Sequence, residues 1–490
     1  MNQFYEVAST KVRHKFREHR PALVAVLLFI VTRWWWVIEG VVPFFGNRVM
    51  SILLAGVAVV VTANFRAAHM LVIGVTVAIV FVGASGAQNS WRHSTPELIG
   101  SYSGPAILRS DPEQFFGGQR VVLEIGGKRF ETIAYGPSGR RLRTRLMGEV
   151  VWVEGIRSSV RADRTKWLAP RHVVGTFSLT SVSEHASFGS PLFRSVNRIR
   201  RVLIRSAEVM PDSEAALYLG LIIGDDRNQP ESMRIAFRSA GLAHLVAVSG
   251  QNVAFVLIVL SPLFRRLRTW WRLAATVAVL GWFVLLTRIE PSVLRAATMA
   301  GLSAIGFARG LKVSAQNLLA LAVVVLLVID PMLAWSVGFL MSVGATTGLI
   351  AIAPRLSRQL VQVGVPIWCA RPLSITIGAQ LGVMPISVLV FHSAPIIGIL
   401  ANLLAVPVAG FVMLTGLPLG LLSAVLPEQL IALVMWPIVL AVRWVWWVAV
   451  IAQRISPHGV HNFSVWMALG FCVIARWRYV RNRSKFGLPA

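Results

Sequence analysis

Long apolar runs dominate the chain. They fall at about 21–38, 48–63 and 69–85, and after a polar gap at about 241–262, 271–289, 291–308, 314–329 and 332–353. More follow at about 372–391, 395–425, 429–452 and 463–478. A helix crosses the hydrocarbon core with roughly 20 predominantly apolar residues, so this pattern predicts a polytopic α-helical membrane protein with about 12 spans. The 395–425 run holds Pro407, Gly410, Gly416, Pro418 and Gly420. It reads as one kinked helix or as a broken one.

Between these runs the period changes from helical to alternating. Val121–Ile125, Arg129–Tyr135, Glu149–Gly155 and His172–Phe177 place apolar residues at every second position, with Gly and Pro between them. That pattern predicts short antiparallel strands, and Gly126-Gly127 predicts a tight hairpin turn. About five strands in under 100 residues fit a small OB-like β-barrel. Further on, Leu192–Val209 has apolar residues at helical spacing and Arg194, Arg198, Arg200, Arg201 and Arg205 on other faces, the pattern of a helix lying in the membrane interface or touching an acidic polymer. Asp212 or Ser213 is placed to cap a short helix that ends at Gly224. The predicted organisation is membrane helices over 1–90, the β domain over 91–190, an amphipathic segment over 191–240, a membrane domain over 241–480 and a basic tail over 481–490.

Charge orients this arrangement. Only 14% of the 490 residues are charged, but the formal net charge is +27. Short loops rich in Lys and Arg face the cytoplasm. The N-terminal KVRHKFREHR, Arg66, Arg265 to Arg272, Arg309 with Lys312, Arg355 with Arg358, and the C-terminal RWRYVRNRSK all fall on one side when the spans alternate. Both termini are therefore expected inside the cell membrane and the β domain outside it. Such loops account for part of the excess charge, and an anionic lipid or nucleic-acid partner is the other source it suggests. The first apolar run is long, lacks a small-residue cleavage site and is followed by further spans, unlike a cleavable signal peptide. Cys369 and Cys472 form no CxxC pair, so neither a disulfide framework nor a zinc site is indicated. No P-loop motif and no HExxH-type metal motif occurs, so no catalytic residues, cofactor or metal are assigned.

Three groups of residues carry candidate chemistry. In the β domain, Arg140, Arg141, Arg143, Arg145, Arg157, Arg161, Arg164, Lys166 and Arg171 are interleaved with Phe130, Tyr135, Trp152, Trp167 and Phe177. Single-stranded nucleic acid is bound by such mixtures, bases on the rings and phosphates on the cations. The same composition also describes a core of aromatics under a solvated basic face. Asp225-Asp226 is either a metal-binding pair or a solvated loop. Within the apolar runs, His244, Ser249, Gln251 and Asn252 cluster beside Gly250, and Arg295, Gln380 and Asn402 lie in later runs. Ionisable groups at membrane depth tend to mark pathways, although Ser, Asn and Gln also join helices to one another.

Four segments in order resemble the ComEC competence family: AGLAHLVAVSGQNVAFV at 240–256, PSVLRAATMAGL at 291–302, the stretch 317–350 with Asp330-Pro331 and Gly338–Ser342, and the stretch 378–410. The resemblance implies an inner-membrane channel that passes a single DNA strand into the cytoplasm, with the β domain as the family's OB-like domain. His244, Ser249, Gly250, Arg295, Gln380 and Asn402 match its segments, and Asp225 falls in an LGLxxGD-type segment. Many relatives read Ser-Gly-Leu-His where this chain has Ser249-Gly250-Gln251-Asn252, so Asn252 stands in for a histidine as a hydrogen-bond donor. Many also continue into a metallo-β-lactamase-like domain that this sequence does not reach. The partners implied are single-stranded DNA, membrane lipid, a separate nuclease, a surface DNA receptor, a cytoplasmic helicase or single-strand-binding protein, and further copies of the chain. The competing reading is a small-molecule or lipid-precursor transporter whose β domain is a lid.

Overall fold

The computed structural model describes residues 99–161, 164–246, 249–311, 313–330, 332–333, 336–391 and 395–456. The apolar runs at 21–38, 48–63, 69–85 and 463–478 and the basic tail lie outside the described residues.

The alternating segment folds as a six-stranded sheet. Its strands are β1 (Gly100–Leu108), β2 (Glu113–Phe115), β3 (Gly118–Ile125), β4 (Lys128–Ala134), β5 (Val150–Ser159) and β6 (Val173–Ser187). β1 pairs with β5, β5 with β6, β6 with β4 and β4 with β3. Ile107 and Leu108 return to Glu124 and Leu123, which closes the ring. All these pairings are antiparallel except β4 with β6. Leaving aside β2, a short addition to the β3 edge, the ring has its third and fifth strands parallel and a helix, α1 (Gly136–Arg143), between its third and fourth. That is the OB-fold arrangement. Gly126 and Gly127 form the β3–β4 turn with φ of 59° and 76°, the two positive values a type I′ hairpin needs.

Alternation fills the barrel. Val121, Leu123 and Ile125 of β3 and Val151 and Val153 of β5 meet Phe130, Phe177 and Val182 in one core, which Leu142 of α1 also enters. The β1 strand, with Gly, Ser and Pro in its first six residues, carries little alternation signal, and its pairing partners settle its conformation.

The barrel belongs to one compact unit, residues 1–201 with 250–350, and the rest of the chain forms a second. In the first unit, α2 (Thr165–Leu168) lies in the β5–β6 connection, and α3 (Pro191–Ala207) follows the barrel and runs across the boundary. In the second, α4 (Asp212–Ile223) begins after Pro211, so neither Asp212 nor Ser213 is its cap; Gly224 ends it in the left-handed conformation, as expected. Residues Ala216 to Ile223 are all buried. The Tyr218 hydroxyl donates to Gly416 O (2.9 Å) and Arg443 Nε donates to Glu214 Oε1 (2.9 Å).

α5 (Glu231–Ser239) and the four-residue α6 (Ala243–Val246) come next. The run expected as one span from 241 is thus two elements, because α7 (Gly250–Phe264) starts afresh after Ser249. α8 (Thr269–Leu286), α9 (Pro291–Ala308), α10 (Ala315–Ile329) and α11 (Val337–Ala351) complete the first unit, the last ending at the boundary. The second unit continues with α12 (Ala353–Gln362), α13 (Ile367–Phe391), α14 (Gly398–Leu422) and α15 (Glu428–Ile455). α14 is a single helix through Pro407 and Pro418. Among the described residues, four helices are long and apolar enough to span a membrane, or five if the bent pair Val337–Ala351 and Ala353–Gln362 counts as one. The expected twelve exceed this number. α7 and α10 have 15 residues each, and four of the predicted runs are outside the described residues.

A buried charge cluster ties the barrel to the helices of its unit. Asp111, in the β1–β2 connection, accepts from Arg200 Nη2 (3.0 Å), Arg288 Nε (2.8 Å) and Met147 N (2.7 Å). Arg200 also donates to Leu286 O (2.9 Å), and Arg288 to Asn197 Oδ1 (3.0 Å). Arg200 is fully buried, although its spacing puts it on the polar side of α3. Beside it Arg201 pairs with Glu149. At the end of β3, Arg109 donates two hydrogen bonds to Glu124 (2.7 Å each).

Replacing Asp111 with Asn leaves two buried guanidinium groups without their counter-charge. It should lower the unfolding free energy by about 3–5 kcal/mol, and an unchanged Tm would refute the role given to this carboxylate. The hydrogen bonds from Arg109 hold the Glu124 carboxyl below its ordinary pKa. Their contribution is therefore complete above the ordinary carboxylate pKa and is lost as pH falls through the lowered folded-state value. The Tm difference between wild type and Glu124→Gln should shrink on acidification through that range.

Candidate nucleic-acid interface

The outer face of β3 and β4 is one place where an OB-fold offers ligand-binding surface, together with the connections between strands one and two and between strands four and five. Here the second of these connections folds over that face. Leu168 of α2 packs with Val122 and Val173, and Arg164 Nη2 donates to the buried Glu131 Oε2 (2.5 Å). Trp167, next to the buried Leu168, is left 67% exposed. Arg161 begins the same connection; the Lys166 side chain lies outside the described residues.

The aromatics divide between two roles. Phe130 and Phe177 are barrel core, whereas Tyr135, Trp152 and Trp167 are exposed. The basic residues divide as well. Arg140 and Arg143 are exposed on α1, while Arg141 Nη1 donates to Val182 O (2.7 Å) and Arg145 stands near Glu149. The set therefore divides into core aromatics and a basic face carrying exposed rings.

Register orders the outer face. Arg120 faces Ile133 at one end, Val122 faces Glu131 in the middle, and Glu124 faces Arg129 at the other end. The Glu124–Arg129 end meets the helices. Arg129 Nη1 donates to Arg171 O (3.2 Å), and His172 Nε2 lies 3.0 Å from Asp330 Oδ2 at the end of α10. His172 occupies the left-handed region, φ 58°.

The polar groups of the apolar helices fall into two sets, one in each unit. In the first, Arg295 of α9 is buried and donates to Ser342 Oγ (2.8 Å) and Met299 Sδ (3.5 Å), both neutral. A Cβ on Gly250 would stand 2.9 Å from Arg295 Nη2, so the start of α7 lies directly on this guanidinium. Asn252, two residues further along α7, is buried and Gln251 is exposed. In the second unit, Gln380 Nε2 donates to Pro395 O (2.6 Å) and Asn402 Nδ2 to Gly398 O (2.7 Å). Their carbonyl oxygens, Gln380 Oε1 and Asn402 Oδ1, are buried without a hydrogen-bond partner among the described residues. Gly241 packs on Gly398, where a Cβ would meet Gly398 Cα at 3.0 Å. His244 is exposed on α6, and Ser249 is half-buried before α7. Asp225 is buried and holds Arg227 in a two-point ion pair (2.7 and 2.6 Å). Among the described residues no group of three or more His, Cys, Asp or Glu is placed to hold a metal. Sequence reasoning missed Asp111 and Arg288, which sit in connections with no helical or alternating pattern.

Apolar helices of spanning length joined to an OB-type barrel define a polytopic membrane protein with a folded domain built onto its helices. The chain belongs to the Competence protein family, whose model matches residues 221–483, more than half of it. It is similar to ComE operon protein 3 of Bacillus subtilis (strain 168), 26% identical over 265 residues, 53% of this chain and 33% of that protein. It is similar to Competence protein ComA of Neisseria gonorrhoeae, 28% identical over 325 residues, 62% of this chain and 45% of that protein. Uncharacterized protein YcaI of Escherichia coli (strain K12) is 25% identical over 218 residues, 40% of this chain and 28% of that protein. The chain thus covers less than half the length of each of these relatives. No solved structure matches.

The geometry separates two neighbouring residues. Trp167→Ala should change stability by no more than about 0.5 kcal/mol, as an exposed surface substitution does. Leu168→Ala should cost about 2–5 kcal/mol through the cavity it opens against Val122 and Val173. Equal losses in thermal unfolding would show Trp167 to be a packing residue.

Proposed function

We propose that this protein carries out the cell-membrane step of DNA uptake in competence, passing a single strand inward through its helical domain while the barrel gathers the strand outside. Membership of the Competence protein family is the observation that carries the reading. The relatives' names, a ComE operon protein and a competence protein, point the same way.

The orientation is supported within the first unit. The turn after α8 reaches the barrel through Arg288 and Asp111, and the end of α10 reaches it through Asp330 and His172. The basic residues Arg265, Arg266, Arg268 and Arg272 precede or begin α8, and Arg309 follows α9, at the opposite ends of these helices. With the basic ends cytoplasmic, the barrel is extracytoplasmic.

Single-stranded DNA needs this kind of device because its phosphates and base edges cannot enter lipid. A cationic and polar lining replaces their hydration. Arg295, with Ser342 and Gly250 against it, supplies a buried cation, and Gln380 and Asn402 supply amides with unused acceptor capacity. The exposed Tyr135 and Trp167, with Arg140 and Arg143, suit a strand whose bases stack and whose phosphates track cations.

The test is deletion of the gene in its own, transformable host, followed by labelled duplex DNA. Surface-bound DNA should persist while nuclease-protected internal DNA and transformants disappear. Unchanged protected DNA would refute the channel and favour a small-molecule or lipid-precursor transporter.

A further inference from the structure

Phe116 is an aromatic residue that the barrel core does not use. Phe115 of β2 pairs with Gly118 of β3, so Phe116 and Gly117 alone make the turn. Their φ values are 43° and 77°, the type I′ pattern, whose first position favours Asn, Asp or Gly. An aromatic residue rarely adopts this conformation, and such outliers cluster at functional sites. Phe116 is 85% exposed, more than any other large apolar residue among those described. Local packing and core formation therefore both argue against Phe at this position.

Its surroundings form an aromatic and cationic platform. The Phe115 and Phe116 rings meet edge to face with centroids 4.6 Å apart. The Arg120 guanidinium lies 4.6 Å from the Phe115 centroid and pairs with Glu113 (2.6 Å), which fixes Phe115 and neutralises the acid of β2. The exposed Tyr135 ring passes over Gly118, where a Cβ would stand 2.8 Å from Tyr135 Cε1. α1 starts directly after Tyr135, and its Gly139 lies against Ala134 and Gln119, so Arg140 belongs to the same end of the barrel.

Resting on the function proposed above, we propose that the Phe116–Gly117 tip is a base-stacking site for single-stranded DNA, at the end of the barrel where a strand first arrives. Charge and position both select this occupant. The neighbouring groups that carry uncompensated charge are cationic, which suits phosphates beside stacked bases. The tip lies at the Gly118 end of β3, whereas the barrel meets the helices at the Glu124 end. At the usual rise per residue these ends are roughly 20 Å apart, so the tip lies at the end of β3 remote from the contact with the helices. From the tip, the β3–β4 face leads past Arg120 and Trp167 to Arg129 and His172, beside the helices. A strand held at Phe116 is thus aligned along the face that ends at Asp330.

The test uses the full chain in lipid nanodiscs with fluorescein-labelled oligo-dT and anisotropy as the readout. Phe116→Asn installs the Asn-Gly pair that the turn prefers. It should raise Tm and weaken oligo-dT binding by roughly tenfold or more, whereas Phe116→Trp should bind at least as tightly as wild type. Oligo-dT binding by Phe116→Asn equal to wild type overturns the proposal. So does loss of binding in Phe116→Trp together with quenching of its added fluorescence by brominated lipid, which would make the tip a membrane contact. If the wild type itself does not bind oligo-dT, the functional reading fails as well. If the wild type binds and both variants match it, only the stacking site fails.

Discussion

A buried carboxylate between two arginines holds the first unit together. Asp111 leaves the barrel through the β1–β2 connection and meets Arg200 from α3 and Arg288 from the α8–α9 turn. Removing three charges from water is costly, and the cost is offset only when each finds a well-placed partner. Here the peptide N–H of Met147, the carbonyl of Leu286 and the amide of Asn197 add further hydrogen bonds. The barrel cannot shift on these helices without exposing or orphaning some of those groups.

The seat also explains how the β3–β4 face is used. Asp111 and His172 fix one end of the barrel at the helices of its unit, and the β3–β4 face runs from that end to the Gly118 end. Glu131 takes up Arg164, which pins the β5–β6 connection across this face, and the same fold leaves Trp167 outside while Leu168 is buried. One short helix thus supplies both an anchor and an exposed ring.

Deeper in each unit the polar groups are few and closely packed. Arg295 has neutral partners and a glycine against it. A cation so placed is expensive in an apolar setting, and its hydrogen bonds to Ser342 and Met299 offset part of that cost. Gln380 and Asn402 both converge on the 395–398 backbone and each keep a buried oxygen unused. Buried polar atoms without a hydrogen-bond partner are uncommon in native structures, and Asn252 Oδ1 shares this state with them among the described residues.

Much of this was legible in the residues themselves. Apolar length announced helices in a membrane, period-two alternation announced the barrel, and Gly126-Gly127 announced its hairpin, because each is a local pattern with a local cause. The α14 helix stayed open between kinked and broken, since Pro407 and Pro418 permit either and only packing on α4, through Tyr218 and Gly416, selects one. The break before α7, the burial of Arg200 and the division of the aromatics into core and exposed rings are equally tertiary outcomes. An arginine at helical spacing looks solvated until a carboxylate distant in sequence reaches it, and Phe116 looks like any strand residue until the register of β2 places it in a turn. The sequence by itself determined that the chain is mostly apolar helix with a β-rich insert, through hydrophobic period and length. Only the tertiary structure decided which charges meet and which rings remain exposed, because those depend on contacts between residues that no local pattern links.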